Sequence, residues 1–321
     1  MRTDIDLDLR WLRSFVAVAD HGGFQQAAFE LRLSQPTVSG HLKALERSLG
    51  RPLIDRRTRP VALTPAGKVF IRHARLVLGE VAAGARRLRS QNGSPHRGTV
   101  VIGTYPSASA GYLPHLMRLA RDLHPGIEIR LEEMSGGEME AAAEAGRLDV
   151  FLRQAEPPLS RRRYGGELLW RERFLIAIPP GHPWAADIDR AVDPEDLVHE
   201  RLIMTGQFQA ESLLGHPFWR DLGRYPEVPH RVRHPQSLLA LVEFGSDPGL
   251  TTELPVALFA GAGVAFRPIA HPAAVRDVYA NWPLSRPLSG SAKSIVDLML
   301  THPTPPALSD RAVFADAISP A

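Results

Sequence analysis

Phe24-Gln25-Gln26-Ala27-Ala28, Leu33-Ser34-Gln35-Pro36-Thr37-Val38-Ser39 and Leu42-Lys43-Ala44-Leu45-Glu46 all fall between Phe24 and Thr64, the stretch whose reading decides the fold. Leu31 and Leu33 close a short apolar helix. Ser34 can cap the next one by accepting a hydrogen bond from an otherwise unpaired backbone N–H. Pro36 suits that helix's first turn, where a missing N–H costs nothing. Val38, Leu42, Leu45 and Leu49 then recur at steps of four, three and four, so one stripe faces inward while Pro36, Thr37, Gly40, Lys43 and Arg47 face outward. A helix, a tight turn and a second helix with a small, polar outer face make a helix-turn-helix with a recognition helix.

Gly50 ends that helix, and Leu53 to Thr64 offers two short extended arms around the tip Arg56-Arg57-Thr58-Arg59. A basic hairpin beside a recognition helix can straddle phosphates while the helix enters the major groove. The expected DNA contacts are Ser34, Gln35, Pro36, Thr37, Ser39, Gly40, His41 and Lys43 on the helix, with Arg56, Arg57 and Arg59 on the wing.

These residues resemble the LysR-type transcriptional regulators. Gly23-Phe24, Ala27-Ala28, Leu33-Ser34-Gln35-Pro36, Val38-Ser39, Leu45-Glu46, Leu49-Gly50, Pro52-Leu53, Arg56-Arg57 and Leu63-Thr64-Pro65-Ala66-Gly67 match that family's amino-terminal pattern in order and spacing. The sequence departs from it at Gly40, where the family usually carries arginine, and at Gln25, where it usually carries serine. The first departure bears on base preference and not on the fold.

Charge is divided unevenly along the chain. Residues 1–97 hold seventeen Lys/Arg against eight Asp/Glu, a balance of +9, which leaves −6 for the other 224 residues within a total of +3. The basic end is the one with the helix-turn-helix, so a polyanion partner is expected there. With no cysteine among 321 residues there is no disulfide framework, thiolate metal site or cysteine nucleophile. The amino terminus lacks the apolar core of a signal peptide and no run approaches a membrane span, which points to a cytoplasmic protein.

Leu9, Leu12, Phe15, Val16 and Ala19 mark a first helix that Gly22-Gly23 stop. After the wing, Thr64 and Pro65 open a long helix in which Ala66, Phe70, Ala74, Val77, Val81, Ala85 and Leu88 recur at steps of three or four. A stripe this long on a small domain calls for a partner. The resemblance implies that this helix makes the dimer, with Phe70, Ala74, Val77, Val81 and Leu88 in the seam. Ser90 to Arg97 then reads as a hinge.

From Gly98 the periodicity changes. Val100–Gly103, Ile127–Leu131 and Leu148–Leu152 read as strands, alternating with helices over Tyr112–His124 and Glu138–Ala145, a spacing that predicts crossovers and a parallel sheet. Phe174–Ile178 is a further strand, and Pro179-Pro180-Gly181-His182-Pro183 reads as the crossing into a second α/β lobe. There Arg201–Met204 and Val264–Phe266 are strands, while Pro235–Phe244 and Leu254–Ala260 are helices. Val275–Trp282 would return to the first lobe and Ala292–Leu300 would close it. The resemblance implies an effector-binding domain similar in fold to periplasmic solute-binding proteins. The expected division is a winged helix-turn-helix over 1–64, a linker helix and hinge over 65–97, and a two-lobed domain over 98–310. Its lobe I takes about 98–178 and 275–302, its lobe II about 179–274, and 303–321 form a loose tail.

Enzyme signatures are missing: no Gly-x-Ser-x-Gly elbow, no phosphate-cradling loop and no His-Glu-x-x-His, so no catalytic or metal-ligating residues and no cofactor are assigned. His230 and His234, on an extended segment, would stand roughly 13 Å apart, too far to share a metal. Open α/β sheets bind ligands at the carboxyl ends of their strands. Thr104, Ser107 and Ser109 follow the first strand, Ser135 the second, Arg153 the third and Thr205 the second lobe's Ile203-Met204. Hydroxyls and one arginine suit a small anion. The expected protein is a dimeric or tetrameric regulator that binds double-stranded promoter DNA and answers to a small-molecule effector in the cleft, with RNA polymerase a further candidate partner. An effector-independent regulator with a vestigial cleft is the alternative reading.

Overall fold

In the computed structural model, Asp8 opens α1 (Leu9–His21) by accepting from the Arg10 N–H at 2.8 Å, and Gly22, at φ 65°, ends it. α2 (Phe24–Leu31) and α3 (Gln35–Leu49) follow, the latter capped by Ser34, whose hydroxyl lies 3.3 Å from the Thr37 N–H. Val38, Leu42 and Leu45 are fully buried against Leu12, Phe15, Val18, Ala27 and Ala28. β1 (Ile54–Asp55) and β2 (Ala62–Leu63) pair antiparallel as the wing, with Ile54 opposite Leu63. Glu46 of α3 fastens this wing: its carboxylate accepts from the Leu53 and Ile54 N–H groups at 2.9 and 3.2 Å and from Arg56 at 3.1 Å. The described residues are 6–90, 97–187, 189–205, 216–224, 226–245, 247–259 and 263–309.

α4 (Pro65–Ser90) is capped by the Thr64 hydroxyl, which accepts from the Gly67 N–H at 3.0 Å. Its stripe divides in two. Ala66, Phe70, Ile71, Ala74 and Leu78 pack into the core of the helix-turn-helix, with the Phe15 and Phe70 rings 6.0 Å apart, and Arg75 pairs with Asp20 of α1. Phe70 and Ala74, which the sequence placed in the dimer seam, thus have packing partners within this unit, Ala74 fully buried and Phe70 in part. Past it, Val77 and Val81 remain 45% and 44% exposed, as does Val69 at 66%. The Leu88 side chain and residues 91–96 of the expected hinge lie outside the described residues.

The chain divides into two compact units, Met1–Arg89 with Glu144–Arg147, and Ser90–Ala143 with Leu148–Ala321. Among the described residues the second unit holds one nine-stranded sheet, made of β3 (Gly98–Thr104), β4 (Ile127–Glu133), β5 (Val150–Gln154), β6 (Tyr164–Ile178), β7 (Arg201–Thr205), β8 (Glu227–Val232), β9 (Gly249–Thr252), β10 (Ala265–Pro268) and β11 (Val275–Pro283). The order is β4-β3-β5-β11-β6-β9-β7-β8, with β10 also on β6. β3 is parallel to both β4 and β5, and α5 (Pro106–Gly111), α6 (Leu113–Leu123) and α7 (Gly136–Glu144) lie in the crossovers. β11 and β6 then run antiparallel to their neighbours, so the sheet is mixed.

The long strand β6 belongs to both lobes. Tyr164–Arg173 pairs with β11, whereas Phe174–Ala177 pairs with β9 and Leu175–Ile178 with β10. The crossing expected at Pro179–Pro183 thus falls earlier, at Arg173/Phe174, and the turn after Ile178 lies within lobe II. The return crossing is at Ala274/Val275, where the Phe174 N–H donates to the Ala274 carbonyl at 2.9 Å. Lobe I buries Val100, Ile102, Tyr112, Leu116, Trp170, Ile295 and Met299 under the Gly290–Thr301 helix. Lobe II buries Ile176, Leu202, Phe218, Trp219 and Leu250. Part of the expected loose tail is packed, since Pro306–Ser309 is helical and Ala307 and Leu308 rest on the lobe I core. Residues 310–321 lie outside the described residues.

One buried ion pair sits at the crossing. Glu172, 1% exposed, accepts from Arg276 Nη2 at 2.6 Å and Nε at 3.0 Å, from the Leu254 N–H at 3.0 Å and from the Trp170 indole at 3.4 Å. Next to it, Glu253 accepts from the Arg173 N–H at 2.8 Å and from its guanidinium at 2.7 Å.

Two outcomes follow from these carboxylates. Glu46→Ala leaves two wing N–H groups unpaired, a loss of about 1–3 kcal/mol for each buried one, so amide exchange at Leu53 and Ile54 should accelerate. Unchanged protection would mean that apolar contacts alone hold the wing. Glu172→Ala strands the Arg276 charge and should cost about 3–5 kcal/mol in urea unfolding followed by tryptophan emission, while Glu172→Met with Arg276→Met should recover most of it.

Candidate nucleic-acid interface and ligand cleft

The outer face of α3 is open. Gln35, Pro36, Thr37, Gly40, Lys43 and Arg47 are exposed, Ser39 is half-buried, and Ser34 is exposed with its hydroxyl 2.7 Å from that of Thr37. His41 does not join them. Its Nδ1 lies 2.8 Å from the hydroxyl of fully buried Ser14 on α1, so it serves the inner packing and not the outer face that the sequence reading gave it. The reason is angular: at about 100° per residue, one step past Gly40 already turns the side chain toward α1.

The three wing arginines are not equivalent. Arg56 stacks over the Phe24 ring at 5.2 Å while pairing with Glu46 at 3.1 Å, contacts that help to fix the wing. Arg57 grips both oxygens of Asp55 at 3.0 Å, and that side-chain hydrogen bond, aided by the Arg57 N–H, holds the Asp55 carboxyl down to about 2. Arg59 is exposed at the tip.

In the second unit, the carboxyl ends of β3, β4 and β5 come together. Thr104 is fully buried and its carbonyl accepts from the Met134 N–H at 3.0 Å, which sets the end of β3 beside Ser135. Ser135 and Glu138 form a reciprocal cap on α7: the serine N–H and hydroxyl both reach the Glu138 carboxylate at 2.7 Å. Ser107 is buried in α5, 3% exposed, while Ser109 donates to the Tyr105 carbonyl at 3.2 Å, a local bond that occupies its proton. Arg153, also 3% exposed, donates from Nη2 to the Pro157 carbonyl at 2.5 Å, and its Nη1 stands 3.4 Å from Glu140 without a hydrogen bond. Burial lowers the Arg153 pKa, opposed by the Glu140 charge. A Cβ on Gly136 would come within 3.0 Å of Arg153 Nε, so a side chain here would press on the guanidinium. Thr205 is half-buried in lobe II, beside Val232, and residues 206–215 after it lie outside the described residues.

Sequence reasoning missed Thr251 and Thr252 and placed Tyr105 only by its position after the first strand. Thr251 and Thr252, 4% and 3% exposed, form the carboxyl end of β9, and neither hydroxyl has a hydrogen-bond partner. Tyr105, directly after β3, has a buried hydroxyl without a partner, raised in pKa by burial, and its ring lies 5.3 Å from the Arg276 guanidinium. The available signal was the polar pair Thr251-Thr252 immediately before Glu253-Leu254-Pro255, a strand end meeting a helix start. Among the described residues five buried side-chain N/O atoms lack a partner, and four of them are these three hydroxyls and Arg153 Nη1.

The fifth is Nδ1 of His302, beside an open recess of about 520 Å³ lined by His115, His302, Pro303, Thr304, Pro306 and Ser309. There Arg118 lies 3.1 Å from His115 Nδ1, a poor neighbour for a bound cation. No group of three or more His, Cys, Asp or Glu among the described residues is placed to hold a metal, and no helix among them is long and apolar enough to cross a membrane.

Comparison with known proteins agrees with this division of labour. Residues 9–68 match the family profile described as bacterial regulatory helix-turn-helix protein, lysR family, and residues 93–304 match the LysR substrate binding domain. The HTH-type transcriptional regulator BenM of Acinetobacter baylyi is 30% identical over 283 residues, covering 85% of this chain and 89% of its own. The DNA-binding transcriptional dual regulator OxyR of Escherichia coli is 30% identical over 246 residues, covering 75% and 77%. Among solved structures, CbnR, a LysR family transcriptional regulator, superposes with a TM-score of 0.66 at 21% identity over 93% of this chain and 100% of its own. Full-length BenM gives 0.56 at 26% identity over 98% and 99%. With an open recognition helix at one end and a two-lobed sheet with unsatisfied strand ends at the other, the chain belongs to the LysR family and is a DNA-binding transcriptional regulator with an effector-binding domain.

Proposed function

We propose that the effector is a small anion, a carboxylate in the first instance, held at the strand ends by Arg153, Tyr105 and one of Thr251 and Thr252, which point to opposite faces of β9, with Thr104 and Ser107 lining the lobe I side. The observation that carries this reading is the set of buried side-chain atoms without a hydrogen bond at these strand ends, the Tyr105, Thr251 and Thr252 hydroxyls and Arg153 Nη1, the last of which has only the Glu140 carboxylate, 3.4 Å away, as an ion-pair partner. Buried polar groups are normally paired, so such exceptions mark a place for a guest or an ordered water. Hydroxyls and a guanidinium are donors, which match an acceptor-rich ligand. Some relatives bear the name hydrogen peroxide-inducible genes activator. This chain has no cysteine, so thiol oxidation cannot carry such a response in it.

At the other end, Gln35, Thr37 and Lys43 read base edges while Arg57 and Arg59 hold phosphates and Arg56 keeps the wing in place. Val77 and Val81 meet the same face of a second copy, giving a dimer from which a tetramer can be built. No catalysis is assigned, and the work is done at promoter DNA in the cytoplasm. A ligand shifts such an assembly only through different affinities for its states, and contacts drawn from β5 and β9, on opposite sides of the crossing strands, supply that difference.

A thermal-shift screen of short dicarboxylates and aromatic monocarboxylates against the full chain tests the effector reading. At a hundredfold excess over Kd a ligand adds about 2.7 kcal/mol, enough for a clear rise in midpoint. The rise should vanish in Arg153→Ala and shrink in Thr252→Val, and the matching neutral amides should give none. Stabilisation by neutral sugars that both variants retain would rule the reading out. For the seam, Val77→Asp with Val81→Asp should reduce the light-scattering mass at low micromolar concentration, since a buried, unpaired charge is costly. An unchanged mass would put the dimer contact elsewhere.

A further inference from the structure

His216 stands where lobe II meets the two crossing strands. It precedes Pro217, which opens the Pro217–Leu222 helix without an N–H of its own, so the Phe218 N–H is the first donor of that helix with no partner inside it. His216 Nδ1 accepts from this N–H at 3.2 Å. On the other side of the ring, Nε2 lies 3.0 Å from the carbonyl of Val275, the first residue of β11. The ring also packs edge-on against Phe174, where β6 enters lobe II, with centroids 5.1 Å apart. A carbonyl can only accept, so Nε2 carries the proton and Nδ1 the lone pair, and both bonds exist together only in the neutral ring. The His-Pro pairs at His182 and His271 use Nδ1 in the same way, toward the Trp184 and Ala273 N–H groups at 3.2 and 3.1 Å. His216 adds to this a hold on the crossing.

Burial is the largest influence on the His216 ring and lowers its pKa; the Val275 carbonyl raises it, Arg220 of the same helix lowers it and Asp277 of β11 raises it. Asp277 is itself gripped by Arg171 of β6 at 2.5 and 2.8 Å. On Phe218, whose N–H the ring caps, rests a second imidazole, His271, with ring centroids 5.3 Å apart. With the folded pKa below the unfolded one, the unfolded chain binds more protons. The contribution of the neutral ring is then present above the ordinary histidine value of about 6.5 and is lost as pH falls below it. Protonation places a donor on Nδ1 opposite the Phe218 N–H, while Nε2 still donates to Val275, now from a charged ring. The bond to the helix is the one that must break.

We propose that His216 is a proton-sensitive latch: neutral, it ties the Pro217–Leu222 helix to the crossing, and charged, it stays on Val275 and releases the helix start, loosening lobe II at its junction with lobe I. The latch is independent of which effector fills the cleft.

Amide exchange read by mass spectrometry on the full chain tests it, at about pH 7.5 and about pH 5, either side of the ordinary histidine value, with rates corrected for the intrinsic effect of pH. Wild-type exchange over residues 218–222 should be about fivefold faster at the lower pH, the scale of one lost cap. His216→Asn, which keeps a capping acceptor that cannot be protonated, should show no such change, and His216→Ala should exchange fast at both. Nitrogen NMR of the histidines should find His216 neutral with its proton on Nε2 at the higher pH. The proposal is overturned if wild-type exchange over these residues changes by less than about twofold, if His216→Asn accelerates as wild type does, or if His216→Ala is as slow as wild type at the higher pH. It is also overturned if the His216 ring is already charged at the higher pH.

Discussion

A carboxylate with almost no exposed surface, Glu172, receives hydrogen bonds from two crossing strands and from the start of a helix in the second lobe. Removing two charges from water is costly, and the arrangement holds because both Arg276 N–H groups converge on Glu172 Oε1 while Oε2 accepts from the Leu254 N–H. The location matters more than the strength. β6 and β11 are the two chains of backbone by which the lobes are joined, and the pair ties them to each other one residue before β6 changes sheet. Leu254, whose N–H completes the cluster, is buried in the lobe I core although its helix follows a lobe II strand. A change of angle between the lobes must therefore act on this helix start, and Thr252, two residues before it, is one of the groups left without a partner.

The amino-terminal unit was largely legible in the sequence because local signals agree with each other there. Ser34, Pro36 and Gly50 punctuate α3, and the Val38, Leu42 and Leu45 stripe is its buried face. Periodicity gives the direction of a face but not what covers it. That is why Phe70 and Ala74 read as seam residues when their partner is Phe15 and its neighbours. It is also why the His41 contact with Ser14, and the pairing of Arg56 with Glu46 and the Phe24 ring, did not show in the sequence. Each of these partners is ten or more residues away, beyond the reach of a local pattern.

The α/β unit was legible where strands follow helices at regular spacing, over β3 to β5 and in the Pro235–Phe244 helix. It was opaque over Tyr164–Arg173, where Gly165-Gly166 and the run Arg171-Glu172-Arg173 look like a loop. Those glycines lie under Trp282 and Asn281, and the charges pair across to Asp277, Arg276 and Glu253. The candidate ligand groups followed the same rule. Ser135 and Ser109, conspicuous in the sequence, are engaged locally, while Thr251 and Thr252 stood unnoticed because β9 itself was not recognised. An unpaired hydroxyl is a property of three-dimensional surroundings, and no spacing of residues announces it.

Among the described residues the sheet ends in β4 and β8, and an open edge is an invitation to other strands. β4 answers it with charge: Glu128 and Arg130, two residues apart on one face of the strand, pair at 3.0 Å, so an incoming strand would have to desolvate them. β8 answers it with Pro229, which contributes no N–H to a further ladder. Among the described residues, each terminal strand of the sheet thus carries a feature that disfavours the addition of a further strand.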